Sequence, residues 1–279
     1  MKIYRTAKGL VVEDGGHLYF SAAVSLDSLI THHDLEGYLQ ATLSQWSHVE
    51  ANALSDLRAP IESQEVWGAG VTYYRSRIAR MAESKEGGDF YDQVYDADRP
   101  ELFFKATPHR VVGPNQKVAI RDDATSSIPE PELAFVISPQ ARIIGYTIAN
   151  DMTSRDIEGR NPLYLPQAKV YDRACALGPA LLVTSEAMAG STEIKMEILR
   201  AGTVEFSGVT SLAARKRTED ELVSYLFRNS SFPNGCVLMT GTGIVPEESF
   251  ALRPGDEIRI SITGIGTLAN TVGCSRNGS

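Results

Sequence analysis

The stretch "IPEPELAFVIS", residues 128–138, limits what this chain can fold into more than any other. Glu130 and Glu132 flank Pro131 at the mouth of an apolar run. In extended backbone the side chains alternate between faces. Glu130, Glu132, Ala134 and Val136 then point one way, while Leu133, Phe135 and Ile137 point the other, towards a core. Two carboxylates on one face repel, and burying either is costly without a cation nearby. Either water surrounds the pair, or a positive charge belongs between them.

The rest of the chain reads mostly as short strands. Asp14-Gly15-Gly16 marks a turn between strands near the amino terminus, and Ala201-Gly202 marks a hairpin within "EIKMEILRAGTVEFSG". "RIIGYTIAND" is strand-like. After a turn at Pro254-Gly255, a strand follows with Ile258, Ile260 and Ile262 on one side. Helical spacing occurs at Leu35, Leu39 and Leu43. It recurs in "TEDELVSYLFRNS", where Thr218 and Glu221 form a capping box and Leu222, Tyr225 and Leu226 share a face. No regular strand–helix alternation is present, so the expected class is α+β and β-rich, not a parallel α/β sheet.

Pro60 and a change of pattern place a domain boundary near residue 62. The expected organisation is a small amino-terminal domain over residues 1–62 and a larger one over 63–279. Residues 75–98 are charged, partly helix-forming and broken by Gly87-Gly88, which suits a mobile excursion over a site.

Composition excludes several function classes. The net charge is −8, and the one dense basic cluster is Arg215-Lys216-Arg217, read as a solvated approach to a helix. Nucleic acid and anionic membrane are therefore disfavoured as partners. Cys175, Cys236 and Cys274 lie far apart, so no disulfide framework or structural zinc site is expected. The start, "MKIYRTAKGL", lacks the apolar core of a signal peptide, and no apolar run reaches the ~20 residues of a membrane span. The cytoplasm is the expected location.

Familiar motifs fail. "GIGTLA" at 264–269 matches a dinucleotide fingerprint but has too little chain after it for a βαβ unit. "GAGVTY" at 68–73 lacks the third glycine, and no phosphate loop, nucleophile elbow or zinc-protease motif occurs. Four of the five histidines precede residue 50, and a lone His109 supports no triad.

A carboxylate constellation survives. "GYTIAND" ends in Asp151, which can join Glu130 and Glu132 at a strand end, with Asp156 and Glu158 as rivals for the third place. Three carboxylates with open positions for water and substrate suit a hard divalent cation: Mg²⁺, with Mn²⁺ and Ca²⁺ as alternatives.

"RPELFFKATPHRVVGP", "PEPELAFVIS", "GYTIANDMTSRDIEG", "LPQAKVYDRACALGPAL" and "MTGTGIVP" occur in the order seen in the fumarylacetoacetate hydrolase superfamily, which this chain resembles over roughly residues 62–270. The resemblance implies that Glu130, Glu132 and Asp151 bind the metal. It also implies that Lys169 lines the site and that Thr242 approaches the substrate carboxylate or oxo group. A mixed β-sandwich roll behind a small amino-terminal domain is implied as well, together with homo-oligomers, either dimers or tetramers. "EVWGAGVTYYRSRIAR", "YDQVYDADRPELFFKATP" and "NPLYLPQAKVY" are similar to the 2-keto-3-deoxy-D-arabinonate dehydratase branch. Hydrolase and decarboxylase members carry a histidine–glutamate dyad on a lid, whereas residues 68–98 contain no histidine. In the dehydratase branch the glutamate of "RPE" belongs to the site, which points to Glu101.

The reaction so implied is metal-dependent dehydration of 2-keto-3-deoxy-D-arabinonate, the same compound as 2-keto-3-deoxy-D-xylonate, to 2,5-dioxopentanoate. It needs a base for the CH₂ beside the ketone and an acid for the departing hydroxyl. Lys169 and Glu101 are the candidates, with the assignment between them open. Alternative readings are an acylpyruvate hydrolase or oxaloacetate decarboxylase on the same scaffold. The structural alternatives are an ion pair between Lys169 and the acidic residues, and one between Glu101 and Arg99 or Lys105.

Overall fold

A computed structural model describes residues 1–83 and 93–274. In chain order the elements begin with β1 Lys2–Thr6, β2 Gly9–Asp14, β3 His17–Ser21, α1 Leu26–Ile30, α2 Leu35–Thr42, β4 Ser47–Val49 and β5 Leu57–Arg58. Then come β6 Glu65–Gly70, α3 Tyr74–Glu83, β7 Glu101–Ala106, β8 Val111–Val112, β9 Lys117–Ile120 and β10 Ser127–Ile128. The centre holds β11 Pro131–Ile137, β12 Ile143–Asp151, β13 Thr153–Ser154, α4 Arg155–Glu158, α5 Leu165–Lys169 and β14 Cys175–Val183. The chain ends with β15 Glu193–Arg200, β16 Thr203–Ser211, α6 Glu219–Leu226, β17 Cys236–Met239, β18 Glu257–Ile262 and β19 Gly266–Cys274.

The class is the expected one, α+β and strand-rich. A large mixed sheet runs β4-β3-β2-β1-β14-β12-β11-β17-β6-β7, with β5 attached to β1 and β8 to β14. A five-stranded sheet runs β16-β15-β18-β19-β9. Ile258, Ile260 and Ile262 of β18 face inward as their alternation predicts, with Ile194, Met196 and Ile198 of β15 beside them. They meet Leu133, Phe135 and Ile137 of β11, and Leu222, Val223 and Leu226 of α6, in one core. Thr218 caps α6 by accepting the Glu221 N–H at 3.2 Å. The reciprocal half of the capping box is absent, because the Glu221 carboxylate pairs with Arg217.

The expectation of a single core face for β11 needs correcting. Ala134 and Val136, on the Glu132 side of the strand, are also fully buried. They belong to a second core with Leu26, Leu29 and Ile30 of α1 and Leu35 and Leu39 of α2. These helices lie in the amino-terminal segment that precedes the boundary expected from sequence near residue 62. That segment joins the main sheet through antiparallel pairing of β1 with β14, Lys2 opposite Leu182. Strand β11 is thus covered on both faces, which suits its nearly continuous apolar sequence.

The basic cluster also differs from its expectation. Arg217 is 6% exposed and donates to the carbonyls of Val94 (2.9 Å) and Ala97 (2.6 Å). Lys216 donates to the Tyr95 carbonyl at 2.5 Å and to Asp96 at 2.7 Å. The cluster is therefore solvated only in part: Lys216 is exposed, while Arg217 is buried, and both satisfy backbone carbonyls just before β7. The Gly87-Gly88 break of the expected excursion lies outside the described residues. Among the described residues, no helix is long and apolar enough to cross a membrane.

Candidate active site

Strand register builds the acidic centre. In the β11–β12 ladder, Pro131 faces Asn150 and Glu132 faces Ala149. The next step places Asp151 across from Glu130, whose carbonyl accepts the Asp151 N–H at 3.0 Å. One carboxylate oxygen from each of Glu130, Glu132 and Asp151 lies within 4.8 Å of the others. All three residues are buried, at 4%, 2% and 1% exposure, so bulk solvent screens their charges little.

Positive charge comes from two lysines. Lys169 closes α5 and donates to Glu130 Oε2 (2.9 Å), Asp151 Oδ2 (2.7 Å) and Thr153 Oγ1 (2.8 Å). All three of its N–H donors are used, so the structural ion pair considered from sequence is present. Lys105, fully buried on β7, pairs with Asp151 Oδ1 and donates to the carbonyls of Met152 (2.9 Å) and Lys169 (2.6 Å). Sequence reasoning weighed Lys105 only as a partner for Glu101. A signal for it was available: Glu101, Phe103 and Lys105 stand on one face of a strand by simple alternation.

Two glycines make room on that face. Gly68 pairs with Phe103 and Gly70 with Glu101 in the β6–β7 ladder. A Cβ on Gly68 would lie 2.5 Å from the Phe103 ring, and one on Gly70 would lie 2.0 Å from Glu101 Oε2. The "GAG" stretch that fails as a nucleotide motif thus clears space for two side chains of the cavity. Lys169 Nζ lies 5.4 Å from the Phe103 ring centroid, within cation–π range.

The "TGT" turn supplies a backbone donor. Gly241 adopts φ +86°, a conformation that L side chains rarely tolerate, and its N–H donates to Glu132 Oε2 at 2.6 Å. Burial, and after it the charges of Asp151 and Glu130, hold the Glu132 carboxyl well above the usual carboxylate range. Lys169 and the Gly241 N–H oppose that shift. Thr242 lines the cavity, but its hydroxyl is engaged with its own turn, donating to the Ile244 carbonyl at 3.1 Å.

The cavity brings Glu101, Glu130, Glu132, Asp151, Lys169 and Thr242 together. Of the two rivals to Asp151, Asp156 is turned away and accepts from the Thr125 N–H (3.0 Å) and hydroxyl (2.9 Å). Glu158 does line the cavity, at 3% exposure, but does not join the clustered trio. Arg99 lies over the Tyr225 ring at 5.2 Å. His109 is exposed beside Thr107, and no histidine lines the cavity among the described residues.

Three crowded, buried, oxygen-only donors fit a hard divalent cation. With Lys105 and Lys169 charged, three ionised carboxylates leave a net charge of about −1 among these five groups, which a dication would reverse.

The family model "Fumarylacetoacetate (FAA) hydrolase C-terminal" matches residues 66–273. A protein of Haloferax volcanii named "Probable 2-keto-3-deoxyxylonate dehydratase" is 48% identical over 238 residues, covering 84% of this chain and 81% of that one. The "2-dehydro-3-deoxy-D-arabinonate dehydratase" of Saccharolobus solfataricus is 42% identical, covering 78% and 76%. A solved structure described as "2-keto-3-deoxy-D-arabinonate dehydratase complexed with magnesium and 2,5-dioxopentanoate" superposes with a TM-score of 0.85 at 33% identity, covering 99% of this chain and all of that one. With a family model spanning most of its length and relatives this similar over most of theirs, the chain belongs to the fumarylacetoacetate hydrolase family.

Proposed function

We propose that this chain is a hydro-lyase that converts 2-keto-3-deoxy-D-arabinonate to 2,5-dioxopentanoate with the aid of Mg²⁺. One observation carries the reading: Lys169 and Glu101 share a buried cavity with the Glu130–Glu132–Asp151 cluster, and no histidine lines it among the described residues. The names borne by the relatives at 42% and 48% identity support it. Glu130, Glu132 and Asp151 would hold the cation. Bound there, Mg²⁺ supplies a Lewis acid for the negative charge that develops when a 2-oxo acid loses its C3 proton.

The side chains supply the proton transfers. Lys169, once it has passed one ammonium proton to a carboxylate it now holds, is a neutral amine and takes a proton from C3. Glu101, protonated, gives its proton to the C4 hydroxyl, which leaves as water with the C4–O electron pair. The C3=C4 enone that results still carries the CH₂OH of C5. Glu101, now a carboxylate, takes a C5 proton, and Lys169 returns its proton to C3. Both groups are thereby reset. The enol left at C4=C5 becomes the aldehyde of 2,5-dioxopentanoate when C4 gains a proton and the hydroxyl loses one. Thr242 stands beside the oxo-acid end. C–C hydrolysis by a histidine–glutamate dyad would require such a histidine, and none lines the cavity among the described residues.

A cytoplasmic location, a homo-oligomeric state and a place in oxidative pentose catabolism belong to the same proposal. The free thiols of Cys175 and Cys236 in the core suit a reducing compartment. Exposed Leu163, Val204 and Val209 offer apolar surface for self-association, which light scattering would measure.

The test is an assay of purified protein with 2-keto-3-deoxy-D-arabinonate, with and without EDTA. An aldehyde signal by NMR that vanishes on chelation and returns with Mg²⁺ is expected. Faster cleavage of acetylpyruvate to pyruvate and acetate would overturn the dehydratase reading in favour of a hydrolase.

A further inference from the structure

Two carboxylates line the cavity outside the clustered trio, Glu101 and Glu158. The proposed mechanism uses only the first. Glu158 is 3% exposed, and it ends α4, a single turn fixed on both sides. Arg155 at its start donates to the carbonyls of Pro246 (2.7 Å) and Glu247 (2.9 Å). Asp156 holds the Thr125 N–H and hydroxyl, and the Gly159 N–H returns to the Arg155 carbonyl at 2.8 Å. The turn is anchored, and Glu158 is its one acidic side chain that lines the cavity.

We propose that Glu158 is a specificity-determining residue that accepts a hydrogen bond from the terminal C5 hydroxyl of the 2-keto-3-deoxypentonate. This rests on the dehydratase reading above. The polar inventories of cavity and substrate match. The oxo-acid head has only acceptor oxygens, and it meets the cation site and Lys169. The tail has two hydroxyl donors, on C4 and C5. An ionised carboxylate is acceptor-only and is the natural partner of a hydroxyl. Glu101 gives its proton to the C4 hydroxyl, which departs, and the Glu158 carboxylate accepts from the C5 hydroxyl, which stays. A site built to bind a hydroxyl discriminates strongly against the analogue without it, because the oxygen that accepts from the hydroxyl loses that donor.

The experiment compares two substrates in two proteins. One substrate is 2-keto-3-deoxy-D-arabinonate. The other is 4-hydroxy-2-oxopentanoate of matching C4 configuration, which keeps the leaving hydroxyl and ends in a methyl group. Consumption of each is followed in wild type and Glu158→Gln with saturating Mg²⁺. Wild type should prefer the hydroxylated acid, and the ratio of the two kcat/KM values should fall about 10- to 100-fold in the variant, mainly through KM. Calorimetric Mg²⁺ binding and a thermal melt establish that the variant folds and keeps its cation site, and Glu158→Asp provides a second, shorter carboxylate. An unchanged ratio, or equal losses on both acids, overturns the assignment while leaving the dehydratase reading intact. Wild type inert towards both acids overturns that reading, and the assignment with it.

Discussion

Lys105 and Asp151 form an ion pair from which solvent is excluded almost completely, with side chains 0% and 1% exposed. The lysine also donates to the carbonyls of Met152 and Lys169, so a single ammonium ties the end of β12 to the end of α5. Breaking one side of a buried pair costs about 3–5 kcal/mol when the other charge is left alone, and here Asp151 would keep Lys169, so that figure is an upper bound. Lys105→Met should therefore lower the unfolding free energy of the cation-free protein by up to that order, read as a lower urea midpoint at unchanged m. Mg²⁺ should restore more stability to this variant than to wild type, because a dication replaces the missing charge. Equal Mg²⁺ stabilisation of both proteins would count against the shared electrostatics.

Glu132 gives the sign of the pH response. Its pKa is raised by burial and by Asp151 and Glu130, so the folded chain keeps a proton that the unfolded chain releases at the ordinary glutamate value of ~4.3. The folded state binds more protons across that window. Stability of the cation-free protein is thus fully present below the unfolded pKa and is lost as pH rises through the raised folded one. Mg²⁺ requires the carboxylate, so its affinity should fall as pH is lowered through the raised value, with proton release on binding. Calorimetry in two buffers of different ionisation enthalpy measures that release. Glu132→Gln should abolish Mg²⁺ binding and activity, and should raise the melting temperature of the cation-free protein at neutral pH.

Gly70 tests the placement of Glu101. A methyl group there would sit 2.0 Å from Glu101 Oε2. The atom that must move is the far end of a flexible side chain, so Gly70→Ala should change stability by less than about 1 kcal/mol, within the range of mild substitutions. The carboxylate would shift away from its working position, and kcat should drop at least tenfold, since small misplacements of catalytic groups are expensive. A variant with wild-type kcat would remove Glu101 from the proton-transfer scheme.

Lys169 and Glu101 should separate in deuterium exchange. In D₂O the wild type should incorporate deuterium at C3. Lys169→Ala should lose this exchange and about a hundredfold or more in kcat, the usual scale for a general acid–base group, while still binding Mg²⁺. Glu101→Gln should lose water elimination yet retain C3 exchange. The reverse pattern, followed by NMR, would exchange the two roles.

What the sequence by itself determined is what local periodicity can encode. The strand alternation of β11 and β18, the turns at Gly15-Gly16 and Ala201-Gly202, and the Thr218 cap depend on neighbours a few residues apart, and all are found. The pair Glu130 and Glu132 on one strand face is legible for the same reason. The tertiary structure alone decided which of Asp151, Asp156 and Glu158 joins that pair, because the antiparallel register of β11 against β12 sets it and no local pattern does. It also decided that β11 has a second core face, covered by α1 and α2, which lie far earlier in the chain. Lys105 and Arg217 show the same limit. A lysine or arginine in sequence reads as a solvated charge, and only the arrival of Asp151, or of the carbonyls at 94–98, supplies the partners that make burial tolerable.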